Sequence, residues 1–94
     1  MPPCAVEFVA RFRADARSLP VEKRREVEMA LRRLPEVFGQ PHLHSGLGIR
    51  RLKHSYFECR VGRDLRMVFK LDREALMMTR IGNHEEVRNF LKSM

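Results

Sequence analysis

The second half of the chain alternates between apolar and polar residues, which is the pattern of β-strands with one buried face. Residues 56–61 put Phe57, Cys59 and Val61 on one side of a strand, and residues 65–71 repeat the pattern. The turns between these segments are short, so neighbouring strands should pair as antiparallel hairpins. We predict three or four strands, drawn from Gly48–Lys53, Tyr56–Val61, Leu65–Leu71 and Ala75–Ile81.

The first half of the chain has helical periodicity instead. Ala10–Ser18 predicts one helix, and Leu19-Pro20 separates it from a second helix that ends near Gly39. The second helix carries an apolar stripe at spacings of three and four. This stripe consists of Val27, Ala30, Leu31, Leu34 and Phe38. Ala5–Val9 fits either a short strand or the start of the first helix.

A short C-terminal helix follows the last strand. Gly82 ends the sheet, Asn83 is a suitable N-cap, and Glu86 three residues later completes a capping box. The element order predicts an α+β fold, with an N-terminal helical hairpin packed on an antiparallel sheet and a short helix at the end. Residues 1–94 should form a single domain, because this length allows one core only.

Charge narrows the range of partners. Nineteen Lys and Arg against twelve Asp and Glu give a formal net charge of +7, which points to nucleic acid or an acidic protein. The sequence has two cysteines, no basic and apolar leader, and no apolar run long enough to span a membrane. We therefore expect a cytoplasmic protein without a disulfide framework.

Strand register gives part of this charge a location. Keeping the apolar faces together pairs Val61 with Leu65, which sets Arg60 opposite Arg66 on the other face. Extending the same register to the next hairpin sets Arg80 beside Arg66. Like charges directly opposed in a sheet are destabilising. The three arginines either extend into solvent or pair with nearby carboxylates, Glu58 and Asp64, or they form an anion site that binds phosphate oxygens in a bidentate manner.

The histidines are candidates for other chemistry. His84 is expected at the first position of the last helix, where it is either a tolerated surface residue or a neutral acid–base group near bound phosphate. His42 and His44 lie two residues apart in a loop. They do not match a recognised metal-ligand spacing, and we interpret them as loop residues or RNA contacts. Cys59 is on an apolar strand face and should be a buried small hydrophobe.

Three segments together resemble the RelE/ParE toxin superfamily of bacterial toxin–antitoxin systems. They are SLPVEKRREVEMALRRL, IRRLKHSYFECRVGRDLRMVFKLD and IGNHEEVRNFLK, which cover most of the chain. The resemblance implies the RelE-like fold and an antitoxin partner. It also implies that the protein cuts mRNA on the ribosome with a basic sheet face, without a metal ion or other cofactor.

The resemblance also assigns residues. Arg66 matches the in-strand arginine of the family, His84 matches the histidine after the last strand, and Arg60 stands where the archetype has a catalytic lysine. Glu58 replaces another lysine, and we assign it as the acid–base counterpart of His84. We expect RNA contacts from Arg50, Arg51, Lys53, Arg63, Arg80, Arg88, His42 and His44. Arg88 departs from the family, because many members have Tyr or Phe there.

The leading hypothesis is therefore a metal-independent endoribonuclease that leaves a 2′,3′-cyclic phosphate. Two alternatives stay open. The ParE branch shares the fold but poisons DNA gyrase without nuclease chemistry, and an inactive relative would only bind its antitoxin.

Overall fold

Helices pack on both faces of a mixed β-sheet in the computed structural model, which describes residues 5–40, 43 and 46–94. The α+β class is as predicted. The last helix, however, lies on the sheet face opposite the helical hairpin, since its Phe90 contacts Tyr56 and Arg80 on that face. The elements are β1 (Ala5–Phe8), α1 (Ala10–Arg17), α2 (Val21–Val37), β2 (Arg50–Arg51), β3 (Tyr56–Val61), β4 (Leu65–Asp72), β5 (Ala75–Gly82) and α3 (His84–Lys92).

The sheet is larger than the sequence suggested. Among the described residues it has five strands in the order β1-β5-β4-β3-β2. The segment at Ala5–Val9 is a strand, and β1 pairs with β5 in parallel, with Val6 beside Leu76. A parallel partner seventy positions away leaves no hairpin signal in the sequence, so only the antiparallel pairs were predictable. None of the helices in the described ranges has the length and apolar character needed to cross a membrane.

The core lies between the sheet and the helical hairpin. From α2 it receives the predicted stripe, with Val27, Ala30 and Leu34 buried. The sheet supplies fully buried Met67 and Phe69, and the Phe69 ring stacks on that of Phe57 at 5.6 Å between centroids. The alternation that the sequence predicted for β3 and β4 therefore decides which face of the sheet is buried.

Register is as predicted between β3 and β4 but not between β4 and β5. Val61 faces Leu65 and Cys59 faces Met67, as burial of the apolar face requires. The next turn has two residues rather than three, so Asp72, not Leu71, faces Ala75. This one-residue shift turns Leu76 and Met78 into the core, whereas the predicted register, with Arg80 beside Arg66, would place them on the charged face.

A β-bulge then adds a second one-residue shift, which restores the predicted alternation of faces. The register slips between Val68 and Phe69, and Thr79 is left without a cross-strand partner. Its hydroxyl donates to the Val68 carbonyl oxygen at 3.0 Å. With this extra residue, Ile81 returns to the core face while Arg80 lies on the opposite face beside Val68.

The capping box of α3 is confirmed. The Glu86 N–H donates to Asn83 Oδ1, and the Asn83 N–H donates to Glu86 Oε1, each at 2.8 Å. Helix α3 contacts β4 and β5. Both Val87 of this helix and Val68 of β4 are buried. The position of α3 is therefore consistent with the burial of Val68.

Cys59 provides a test of this core. The thiol is fully buried, and burial raises its pKa from 9.0 to about 12. Between these values the unfolded chain has released the proton and the folded chain has kept it, so stability falls as pH rises. We expect the free energy of unfolding to fall more steeply above pH 9 in the wild type than in Cys59→Ala, by about 1.4 kcal/mol per pH unit. Urea denaturation at several pH values measures both slopes, and parallel slopes would contradict the burial of this thiol.

Candidate functional site

Arg60 and Arg66 lie directly opposite each other on the sheet face away from the hairpin, as the register predicted. Next to them is a cleft with a volume of about 380 Å³. We call it the arginine cleft, and its lining residues are Gly48, Ile49, Arg50, Arg60 and Arg66. Three guanidinium groups therefore line one concave surface, which suits an anion with several oxygen atoms.

Glu58 is a carboxylate among these arginines. One oxygen, Oε2, accepts from Arg66 Nη1 at 2.6 Å, and the other, Oε1, accepts from Arg50 Nη2 at 3.4 Å. Only 3% of its side chain is exposed, against 27% for Arg66 and 67% for Arg50. Of the three arginines in the predicted row, Arg66 pairs with Glu58, whereas Arg50, the second partner of Glu58, was not in that row. Asp64, the other carboxylate considered, lies instead 3.7 Å from Lys23 Nζ.

Two glycines border the opposed arginines. Gly48 has a φ of 62°, and a Cβ atom there would collide with Arg60 Nε. Gly82 is the cross-strand neighbour of Arg66 on β5, and a Cβ atom there would collide with the Glu86 side chain of α3. Gly48 therefore lets the chain pack closely against Arg60, and Gly82 lets α3 pack closely against the end of β5. Among described residues Arg60 forms no ion pair.

Arg80 does not extend the row of arginines, which corrects the sequence prediction. It faces Val68 across the strands, because the two-residue turn and the bulge together move it two positions from Arg66. Its Nε donates to Asp15 Oδ2 at 2.9 Å, and its guanidinium lies 5.7 Å from the centre of the Phe90 ring. Arg80 thus connects α1, β5 and α3, and we interpret it as a structural residue rather than an RNA contact.

Asp15 is a residue whose role the sequence analysis missed. Its Oδ2 also accepts from the Ile81 N–H at 3.0 Å, at the part of the β5 edge that lies beyond β1. Oδ1 accepts from Arg11 Nε at 3.3 Å, one helical turn away. The carboxylate thus satisfies a strand N–H that has no partner strand. A lone Asp in a helix gives no sequence signal for such a tertiary contact.

Other predicted residues have separate positions. His84 is exposed at the first position of α3. It follows two residues after Gly82, which is the cross-strand neighbour of Arg66. The remaining basic candidates, Arg51, Lys53, Arg63 and Arg88, are also exposed. His42 and His44 lie outside the described residues. Within the described part of the chain, no three metal-ligating side chains come together.

Comparison with known proteins identifies the fold. No protein-family model matches the sequence, and no curated protein is significantly similar to it. Among solved structures, the RelB–RelE antitoxin–toxin complex from Methanococcus jannaschii is similar, with a TM-score of 0.67 at 19% identity, over 89% of this chain and 96% of that chain. The archaeal RelE–RelB complex from Pyrococcus horikoshii OT3 has a TM-score of 0.69 at 14% identity, over 87% and 96%.

A third similar structure is YafQ from E. coli strain BL21(DE3). Its TM-score is 0.66 at 17% identity, over 89% of this chain and 97% of that chain. These neighbours share one architecture, and the chain has the RelE-like toxin fold. The fold that the sequence resemblance implied is thereby confirmed.

The contacts of Arg80 predict its effect on stability. Replacing Arg80 with Ala removes the charged hydrogen bond to Asp15 and the contact with Phe90. We expect Arg80→Ala to lower the free energy of unfolding by about 2 kcal/mol, measured by urea denaturation. Arg32→Ala, an exposed change of the same charge on α2, should stay within about 0.5 kcal/mol of the wild type. Equal stability of the two variants would show that the Asp15 contact contributes nothing.

Proposed function

We propose that this protein is the toxin of a type II toxin–antitoxin system and a metal-independent endoribonuclease that cuts mRNA on the ribosome. The observation that carries the proposal is the pair of opposed arginines, Arg60 and Arg66, at one cleft. Opposed like charges cost stability in a sheet, and a bound phosphate removes that cost. Support also comes from the fold, which this chain shares with RelE and YafQ.

The proposed reaction breaks one P–O bond and forms another. The ribose 2′ oxygen attacks the adjacent phosphorus, and the bond to the 5′ oxygen of the next nucleotide breaks. The products are a 2′,3′-cyclic phosphate and a 5′-hydroxyl group. Negative charge accumulates on the phosphorane oxygens in between, and Arg66 and Arg60 stabilise it there. Guanidinium groups suit this role because their N–H groups can bind two oxygens of one phosphate.

His84 is the proposed proton-transfer group. Its neutral imidazole accepts the proton of the 2′-hydroxyl group, and solvent supplies a proton to the departing 5′ oxygen. The position supports this role, because His84 is exposed, begins α3 and follows directly on the strand end beside Arg66. The exposed side chains of Arg50, Arg51, Lys53, Arg63 and Arg88 would bind the RNA backbone without reading its sequence.

An acidic antitoxin is the proposed protein partner. Two of the structural neighbours are complexes of RelE with RelB. In this chain, the net charge of +7 and the exposed guanidinium groups favour an acidic segment that covers the arginine cleft. The reaction would then take place in the cytoplasm, where mRNA is translated, and the antitoxin would block access of mRNA to the cleft.

Substitution of Arg66 tests the nuclease. Arg66→Ala should lower mRNA cleavage on ribosomes at least about 100-fold, because a donor to the developing charge is lost. Arg66→Lys keeps the charge, but its cleavage activity should still fall about tenfold or more. An ammonium group lacks the planar set of N–H donors with which a guanidinium binds two oxygens at once. Mapping of RNA 5′ ends after brief induction measures cleavage, and thermal unfolding shows whether each variant is folded.

Arg32→Ala is the matched control, since it removes one exposed positive charge away from the cleft. It should keep nearly full activity. A folded Arg66→Ala protein that still cuts ribosome-bound mRNA would rule out this active site. Growth arrest with DNA damage and intact transcripts would favour a gyrase poison instead.

His84 gives an independent test. His84→Gln preserves the capping box of Asn83 and Glu86 and should leave α3 folded. Loss of proton transfer should lower the single-turnover cleavage rate by about 100-fold or more. His54→Asn, an exposed histidine change in the turn before β3, is the control and should cleave like the wild type. An unchanged rate in His84→Gln would remove His84 from the mechanism.

A further inference from the structure

We infer that Glu58 is a positioning residue, which orients Arg66 toward the phosphate and takes no part in proton transfer. The inference rests on the proposed function, and it replaces the acid–base role that the sequence analysis gave to this carboxylate. Glu58 and Arg66 lie on adjacent strands, displaced diagonally by two residues, since Glu58 faces Val68. Diagonal neighbours are within reach of long side chains.

The carboxylate of Glu58 has little contact with solvent. Its side chain is 3% exposed, and each of its oxygens is engaged by a different arginine. A group that accepts a proton from the 2′-hydroxyl must come within hydrogen-bonding distance of it. Glu58 meets this requirement poorly, whereas exposed His84 can approach a bound ribose.

The opposed arginines explain why a positioning group is needed. Arg60 and Arg66 face each other across the strands, so repulsion drives their guanidinium groups apart. Glu58 Oε2 holds Arg66 at Nη1, with a distance of 2.6 Å. Such a short charged hydrogen bond fixes the orientation of the planar guanidinium.

The same contact leaves Arg66 able to bind an anion. A guanidinium has five N–H donors, and the described contacts with Glu58 use only Nη1. Arg66 lines the arginine cleft, and 27% of its side chain is exposed. Glu58 therefore holds the Arg66 guanidinium at Nη1 and leaves its other N–H donors for phosphate oxygens. Arg50 is bound more loosely, at 3.4 Å, and the larger effect should fall on Arg66.

A double-mutant cycle on cleavage distinguishes positioning from proton transfer. Glu58→Gln keeps the shape of the side chain and should lower kcat by about 10- to 100-fold with little change in KM, since misplacement of a catalytic group has effects of this size. In the Arg66→Lys background, Glu58→Gln should change kcat by less than about twofold, because the guanidinium that it orients is already absent. Equal losses in both backgrounds would overturn the inference.

The pH dependence of kcat provides a second readout in the same variants. A positioning residue lowers the rate at every pH and leaves the shape of the profile unchanged, whereas loss of a general base removes its acidic limb. Loss of that limb in Glu58→Gln would therefore also overturn the inference. Glu74→Gln is the matched control, because it makes the same charge change at an exposed turn residue. It should leave kcat and the profile unchanged.

Side-chain order of the arginines is a readout that does not depend on cleavage. In protein labelled with ¹⁵N, the Arg66 Nε–H should show a reduced heteronuclear NOE in Glu58→Gln, with Arg60 unchanged and Glu74→Gln like the wild type. An equally ordered Arg66 in Glu58→Gln would contradict the inference while leaving the nuclease in place. A wild type that cuts no mRNA, combined with loss of Arg66 order in the variant, would remove the proposed function but keep the contact.

Discussion

The period-two alternation of β3 and β4 is the constraint on which the rest of the structure depends. Cys59 and Met67 are buried against the helical hairpin, so the residues next to them in each strand must lie on the opposite face of the sheet. Glu58, Arg60 and Arg66 therefore lie together on the other side because their apolar neighbours are buried. The charged cluster is a geometric consequence of the core, because the sheet fixes which face each of these residues occupies.

This constraint also explains what the sequence could predict. A three-residue turn between two alternating segments allows one register that keeps the apolar residues together, and Arg60 opposite Arg66 followed from it. The β4–β5 pair offered no such unique solution. Leu76, Met77 and Met78 are apolar in succession, so either face could have been the buried one. The two-residue turn and the bulge at Thr79 decide the matter, and neither has a signal in single-sequence periodicity.

Arg80 shows the cost of that ambiguity. The register at Arg80 differs from the predicted one by two residues, and Arg80 forms an ion pair with Asp15, 65 positions earlier in the chain, instead of lining an anion site. Long-range pairs of this kind depend on the packing of α1 against the free part of the β5 edge. The same argument applies to β1, whose parallel partner could not be found from local pattern. Local and antiparallel features were predictable, and the edges of the sheet were not.

The buried carboxylate of Glu58 is explained better by function than by the stability of the sheet. An apolar residue at the position of Glu58 would match its buried neighbour Val68 and avoid the desolvation of a charge. It would leave Arg66 beside Arg60 with nothing to orient it. The sheet thus contains a carboxylate that folding alone does not require. Its shorter contact is with Arg66, one of the arginines that line the cleft. Departures of this kind from the pattern of a stable sheet are expected where a protein binds its ligand.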